Sequence, residues 1–510
     1  MHGRHGAHRR RGRDQRGCGP VSWTPELALA LTLIIPSLGG IGVALLRRWP
    51  NLREAATLLS AVALAIVVAY LVEVSGQRPE LTLIEFAPGL TLSFHLEPLG
   101  ALFAMVASGL WIVNSLYSIA YMRGNGESNQ TRFYFCFTIS IAAAMGIALA
   151  GNLLTLFFFY ELLTLSTFPL VAHKGDAKAK KGAAIYLGVL LATSIGLLLP
   201  AIFATYALTG TTDFEAGGIL SEAAGPVAGS ILLVMFAFGI GKAALMPTHP
   251  WLPNAMVAPT PVSALLHAVA VVKAGVFTML KVVIYTFGPD YMQTLPAADV
   301  LAWIAGASIV VASIIAMTKD NLKARLAFST VSQLSYVTLG AMLASPAALM
   351  GGALQIVMHA YGKITLFMTA GGIYTGTKKG EISQLDGLGW YMPVTFGAFA
   401  IGALSIIGVP PFGGVWPKIF LMDGSAEAGQ PWLIAFLIGS TLLNIGYLLP
   451  IVIRGFLKPK PEVSPMKPGK PPALAFIAPA FTAIMTIVLF FAVGPIIDFL
   501  QPVFTTEMTP

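Results

Sequence analysis

The stretch Gly241–Lys273, GKAALMPTHPWLPNAMVAPTPVSALLHAVAVVK, decides the fold, because it places groups that hydrocarbon excludes inside a long apolar run. It holds Lys242 and Lys273, His249 and His267, and prolines at 247, 250, 253, 259 and 261. A lysine at the centre of a membrane helix costs about 3 kcal/mol, so an ionisable group at that depth is a functional hypothesis from the start.

The rest of the chain reads as the scaffold for those groups. Of 510 residues, 56% are hydrophobic and only 11% charged. A soluble domain carries about 25% charged residues. The apolar segments recur without a long polar interval, which predicts one continuous membrane domain over residues 21–510. The two cysteines, Cys18 and Cys136, lie far apart with no partner at metal spacing, so neither a disulfide framework nor a cysteine-ligated metal or iron–sulfur site is supported. Residues 1–20 hold six arginines and three histidines and almost nothing apolar, and they read as a disordered basic tail. A solvated or headgroup-bound tail is the ordinary role of such a segment, and no nucleic-acid partner is expected.

With about 20 apolar residues per crossing, an all-α polytopic protein of about fourteen spans is expected. They fall near 24–46, 55–75, 97–120, 133–150, 152–173, 182–208, 226–258, 260–286, 299–317, 325–344, 347–374, 393–422, 431–454 and 472–498. The loops after odd-numbered spans carry 19 lysines and arginines, against Arg78 and Lys281 for the loops after even-numbered ones. By the positive-inside rule the odd loops are cytoplasmic and both termini lie outside a plasma (inner) membrane.

Four basic residues fall inside spans: Lys242, Lys273, Lys363 and Lys418. Among the acids only Glu161, in FFFYELLTLSTF, is central to one. The seventh span is about a dozen residues longer than a crossing needs, and Pro247 and Pro250 within it predict an interrupted helix. The twelfth repeats the device in GVPPFGGVWPK, where Pro410 and Pro411 precede Lys418. Paired breaks at matching places point to inverted repeats, here spans 4–8 (about 133–286) and 9–13 (about 299–454). Non-helical backbone at that depth persists only where protein buries it or a wet cavity takes it up.

Each group also has a structural alternative. A lysine near a helix end can snorkel to the headgroups, which suits Lys363 better than Lys242 or Lys418. His249 and His267, 18 residues apart, match no metal-ligand spacing, and no metal or other cofactor is expected. His359 and Lys363 share a helix face and extend a polar path toward Lys418. Desolvation disfavours a charged amine and an adjacent carboxylate favours it, so Glu161 approaching or leaving Lys242 would switch that lysine's hold on its proton. The relay then runs from Glu161 and Lys242 through Lys273, His267, His359 and Lys363 to Lys418.

The same residues carry a family resemblance. HPWLPNAMVAPTPVSALLHA (249–268), with Gly241–Lys242 upstream, resembles the signature of antiporter-like proton-translocating subunits shared by respiratory complex I, membrane-bound hydrogenases and Mrp-type sodium/proton antiporters. NLLTLFFFYELLTLSTFPLV (152–171) and IIGVPPFGGVWPK (406–418) resemble it in the same register. The resemblance implies fourteen helices in two inverted five-helix repeats, each with a broken helix. It also implies the key glutamate at Glu161, the broken-helix lysines at 242 and 418, and the central lysine at 273. A lysine at 418, with SIGLLLPAI and HAYGKITLFMTAGGIY, is most similar to the D-type subunit of Mrp antiporters. Asn254, where the family has aspartate, and Pro417 before Lys418 depart from the pattern. The implied partners are other membrane subunits, the lipid bilayer and protons, with sodium as a second candidate ion. A redox-driven pump subunit is the alternative within transport. A quinone-binding oxidoreductase lacks a recognisable redox site here.

Overall fold

A computed structural model describes residues 24–221, 223–265, 269–462, 466 and 472–505. The basic tail, residues 1–20, lies outside the described residues, and so does His267.

Helix starts follow from local sequence. Thr24, Asn152, Asp176, Asn321 and Ser345 each accept the backbone N–H three residues on, which satisfies a donor left over at a helix N-terminus. Proline occupies the first position at Pro25, Pro50, Pro98, Pro226, Pro296, Pro346 and Pro393, where its missing N–H costs nothing.

Among the described residues ten helical segments are long and apolar enough to cross a membrane, so the chain is polytopic. The first five are α1 (Pro25–Leu45), α2 (Pro50–Glu73), α3 (Pro98–Asn125), α4 (Gln130–Ala148) and α5 (Leu153–Val171). The sixth joins α6 (Ala177–Thr193) to α7 (Leu199–Thr209) through a π-turn at Ser194–Leu198. The other four contain α13 (Pro296–Met317), α14 (Leu322–Leu343), α18 (Ile434–Leu457) and α19 (Leu474–Phe491).

The four remaining expected spans are built differently. The seventh is broken: α8 (Pro226–Gly239) stops, and only α9 (Trp251–Asn254) and a 3-10 turn follow the interruption. The twelfth is broken as expected, into α16 (Pro393–Ile407) and α17 (Val415–Glu427). The eighth contains α10 (Thr260–Ala264) and α11 (Val271–Val282) and is followed by the short α12 (Pro289–Gln293). The eleventh is α15 (Pro346–Thr377), a 32-residue helix buried along almost its whole length. It packs against α3, α10, α14, α16, α17 and α19 and forms the axis of the molecule. The last expected span, 472–498, covers α19 and the start of a terminal helix, α20 (Val493–Thr505).

One element departs from the all-helical expectation. Between α2 and α3 an antiparallel hairpin pairs β1 (Glu80–Ala87) with β2 (Leu90–His95). Asn152 at the start of α5 donates to the Thr91 carbonyl at 2.9 Å and to Ser93 Oγ at 2.8 Å, which ties the hairpin to the helices.

Candidate functional site

A buried lysine stands beside each helix interruption, and each is held by carbonyl and hydroxyl acceptors. At the first, Lys242 sits in a 3-10 turn, Gly241–Ala243, and is fully buried. Its ammonium donates to the Tyr160 carbonyl at 2.7 Å and to Thr164 Oγ1 at 2.6 Å, and it lies 3.1 Å from the centre of the Tyr160 ring. Trp251 Nε1 donates at 2.9 Å to the Gly241 carbonyl, which also accepts the Ala244 N–H at 3.0 Å. At the second, Lys418 in the first turn of α17 donates to the Ile407 carbonyl, the last of α16, at 2.6 Å. That carbonyl belongs to the negative end of a half-helix, where a cation is favoured. Thr441 Oγ1, at 2.8 Å, completes the cradle. Pro417 occupies the third position of α17, where no intrahelical N–H is required, so it fits the break without cost.

Glu161 lies on α5 between Tyr160 and Thr164, the two residues that hold Lys242. Among the described residues no ion pair joins it to Lys242, and both its carboxylate oxygens are occluded without a hydrogen-bond partner. A buried polar group left unpaired is held at a cost.

The central helix connects the two ends. Lys273 on α11 meets His359 Nδ1 of α15 at 2.8 Å and the Gln355 carbonyl at 3.4 Å. Gly275 explains why α11 lies so close to the first break: a Cβ there would fall 2.3 Å from the Lys242 carbonyl carbon. One turn beyond His359, Lys363 is fully buried, so it does not snorkel. It donates to Ser329 Oγ at 2.5 Å. Ser329 shares a 2.7 Å bond with Tyr447 Oη, which bonds Asn444 Oδ1. Asn444 Nδ2 reaches the Ile406 carbonyl at 3.5 Å, beside the carbonyl that holds Lys418. A hydrogen-bonded series thus runs from Lys363 to the second break through three side chains, Ser329, Tyr447 and Asn444, that the sequence reading passed over. Their signal was available: Asn444 and Tyr447 interrupt an apolar span, three residues apart.

The sequence reading needs two corrections. Lys281, assigned to a loop, is 1% exposed on α11 and pairs with Glu97 at 2.7 Å. It also donates to the Ala150 carbonyl at 2.6 Å. It lies inside the eighth expected span, 260–286, ahead of the Gly288–Pro289 stop, and so belongs with the buried lysines and not with the loop charges. Glu161 is also not the sole shielded acid, since Glu97 and Glu54 are buried, Glu54 against Arg53 and Arg123. Asn254 ends α9 in the open, with Nδ2 donating to the Pro250 carbonyl at 2.8 Å.

Residues 150–444 match the family described as NADH:quinone oxidoreductase/Mrp antiporter, transmembrane. The chain belongs to this family. NADH-quinone oxidoreductase subunit N of Desulforudis audaxviator (strain MP104C) is 30% identical over 410 residues, covering 79% of this chain and 80% of that protein. A probable K(+)/H(+) antiporter A/B subunit of Rhizobium meliloti (strain 1021) is 30% identical over 409 residues, 76% of this chain and 39% of that longer protein. The chain also spans less than two thirds of the chain 5 and subunit 5 relatives it matches. In solved structures the same fold occurs in the Mrp complex from Dietzia sp. DQ12-45-1b, with a TM-score of 0.83, 22% identity and coverage of 95% of this chain and 98% of that one.

Proposed function

We propose that this chain is the proton-translocating subunit of a multisubunit monovalent cation/proton antiporter, of the Mrp type and most similar to its D-type subunit. The observation that carries the reading is the row of buried amines, Lys242, Lys273, Lys363 and Lys418, each held by hydrogen-bond acceptors rather than by a permanent counter-charge. An ammonium in such a cradle can hand on its proton without leaving a carboxylate stranded. Glu161 is the mobile counter-charge: near Lys242 it retains the proton, and withdrawn it lets the proton pass toward Lys273 and His359. Lys363, Ser329, Tyr447 and Asn444 carry the transfer on to Lys418. Spans 4–8 and 9–13 are the two inverted repeats, and the helices between the breaks are the shared wall of the path.

Sodium is the cation suggested by the Mrp resemblance, and the Rhizobium relative's name offers potassium as well. The Desulforudis relative favours a second reading, a pump subunit powered by electron transfer in other subunits. On either reading this chain is a transporter subunit that works with other membrane subunits in the plasma membrane, and a translocase class applies only to a redox-driven assembly.

The test is cation-driven proton movement in inverted vesicles carrying the assembled complex. Glu161→Gln, Lys242→Ala, Lys418→Ala and Tyr447→Phe each lower it at least tenfold, with assembly intact on native gels. Wild-type proton movement in assembled Glu161→Gln and Lys242→Ala overturns the reading. Proton movement that needs an electron donor and ignores sodium and potassium selects the redox-driven alternative.

A further inference from the structure

Tyr160 meets Lys242 twice, once at the backbone and once at the side chain. The phenol oxygen accepts the Lys242 backbone N–H at 3.0 Å. N–H groups that open a helical turn have no acceptor inside it, so the phenol takes over one donor of the turn Gly241–Ala243. At the side chain, an ammonium has three N–H donors and no acceptor of its own. Two are used on the Tyr160 carbonyl, at 2.7 Å, and on Thr164 Oγ1, at 2.6 Å. The third is left for the Tyr160 ring, whose centre lies 3.1 Å from Nζ.

The ring differs from the other two partners in what it discriminates. A carbonyl also accepts from a neutral amine, and a threonine hydroxyl can turn round and donate to one. The pull of a ring face comes from its negative quadrupole acting on a full positive charge, and it is strongest where water is excluded. Tyr160 and Lys242 are both 0% exposed. Tethered to α5 at one end and bonded to the turn at its hydroxyl, the ring cannot swing aside without giving up that bond. At the second break the contact is looser: Lys418 Nζ lies 5.7 Å from the centre of the Tyr336 ring, close to the limit of about 6 Å for such an attraction.

We infer that Tyr160 is a positioning residue for Lys242, its ring face standing in for a counter-charge while Glu161 is unpaired, and its hydroxyl fixing the turn that carries the lysine. The inference rests on the proton-translocating reading of Lys242, while the contact itself is measurable without transport.

The test uses the assembled complex with phenylalanine and its mono-, di- and trifluorinated forms at position 160. Fluorine drains charge from the ring face and adds little volume, so packing is kept while the attraction fades. Cation-driven proton movement falls stepwise along the series, to about a tenth of the phenylalanine value at the trifluorinated end. Equal movement across the series overturns the role of the ring. Should the phenylalanine protein fail to assemble, ring-fluorinated tyrosines, which keep the hydroxyl, are compared with tyrosine in the same way. A double-mutant cycle on the melting midpoint reads the contact without transport: Tyr160→Leu lowers the midpoint more with Lys242 present than in Lys242→Met, and equal losses in the two backgrounds overturn it. A flat fluorine series beside inactive Lys242→Ala removes Tyr160 from the machinery and keeps the transport function.

Discussion

Lys281 and Glu97 form the one lysine–carboxylate ion pair with both side chains buried among the described residues, and this separates their role from that of the relay lysines. A buried pair contributes little net stability, but removing one partner strands the other and costs about 3–5 kcal/mol. Lys281→Met is therefore expected to abolish assembly or lower the melting midpoint sharply. Lys281→Arg, which keeps charge and donors, is expected to preserve assembly; parallel melting curves of the two variants check this. His173, just past α5, behaves as a pH-dependent group of another kind. It is 2% exposed, and burial with Arg132 nearby pushes its imidazole down from 6.5 to about 4. Unfolded, it titrates near its ordinary value of about 6.5, so between the two values the unfolded chain binds more protons. Stability from this group is thus full above about pH 6.5 and is lost as the pH falls toward about 4. Melting curves over that window should flatten in His173→Gln, and an unchanged acid slope would remove His173 as the cause.

At the scale of elements, the breaks show which structural features had a local signal. Prolines at 247, 250, 410 and 411 announced the first and last interruptions, because a proline inside a helix removes a bond and crowds the preceding turn. Pro259 and Pro261 mark no break, since they lie at the start of α10, where proline is at home. The hairpin was legible but unread: LTLIEF and LTLSF alternate around Pro88-Gly89, the pattern of two strands and a turn. The relay lysines stood out as ionisable groups in hydrocarbon. The acceptors that hold them did not, because a serine or tyrosine in a span is ordinary until a neighbouring helix brings a lysine against it. What keeps a break in place is equally a matter of tertiary contact. Trp251 Nε1 is one of two donors to the Gly241 carbonyl, the Ala244 N–H being the other, and its ring packs edge-on to Tyr186 at 5.6 Å. Trp251→Phe removes that indole hydrogen bond at a cost of about 0.5–1.5 kcal/mol. The expected result is a lower melting midpoint with proton movement reduced alongside it, while Trp432→Phe, at a residue 76% exposed, changes neither.

For the whole molecule, the direction of transport depends on which face is cytoplasmic, and moving Lys281 into the core sharpens the charge argument. Outside the basic tail, the sequence then leaves Arg78 as the one basic residue expected on the hairpin side, against 19 expected near the other face. Lysines and arginines in short loops are retained on the cytoplasmic side during insertion, so the Lys174 face is expected inside and the hairpin outside. In that orientation the Lys281–Glu97 pair lies toward the exterior. Lys178 and Asp290 are exposed on opposite faces and suit a direct check. In a background without Cys18 and Cys136, Asp290→Cys should react with a membrane-impermeant maleimide on intact cells. Lys178→Cys should react only after the membrane is opened. The reverse pattern would turn the molecule over, and with it the side from which protons enter, while leaving the chemistry of the buried lysines as it stands.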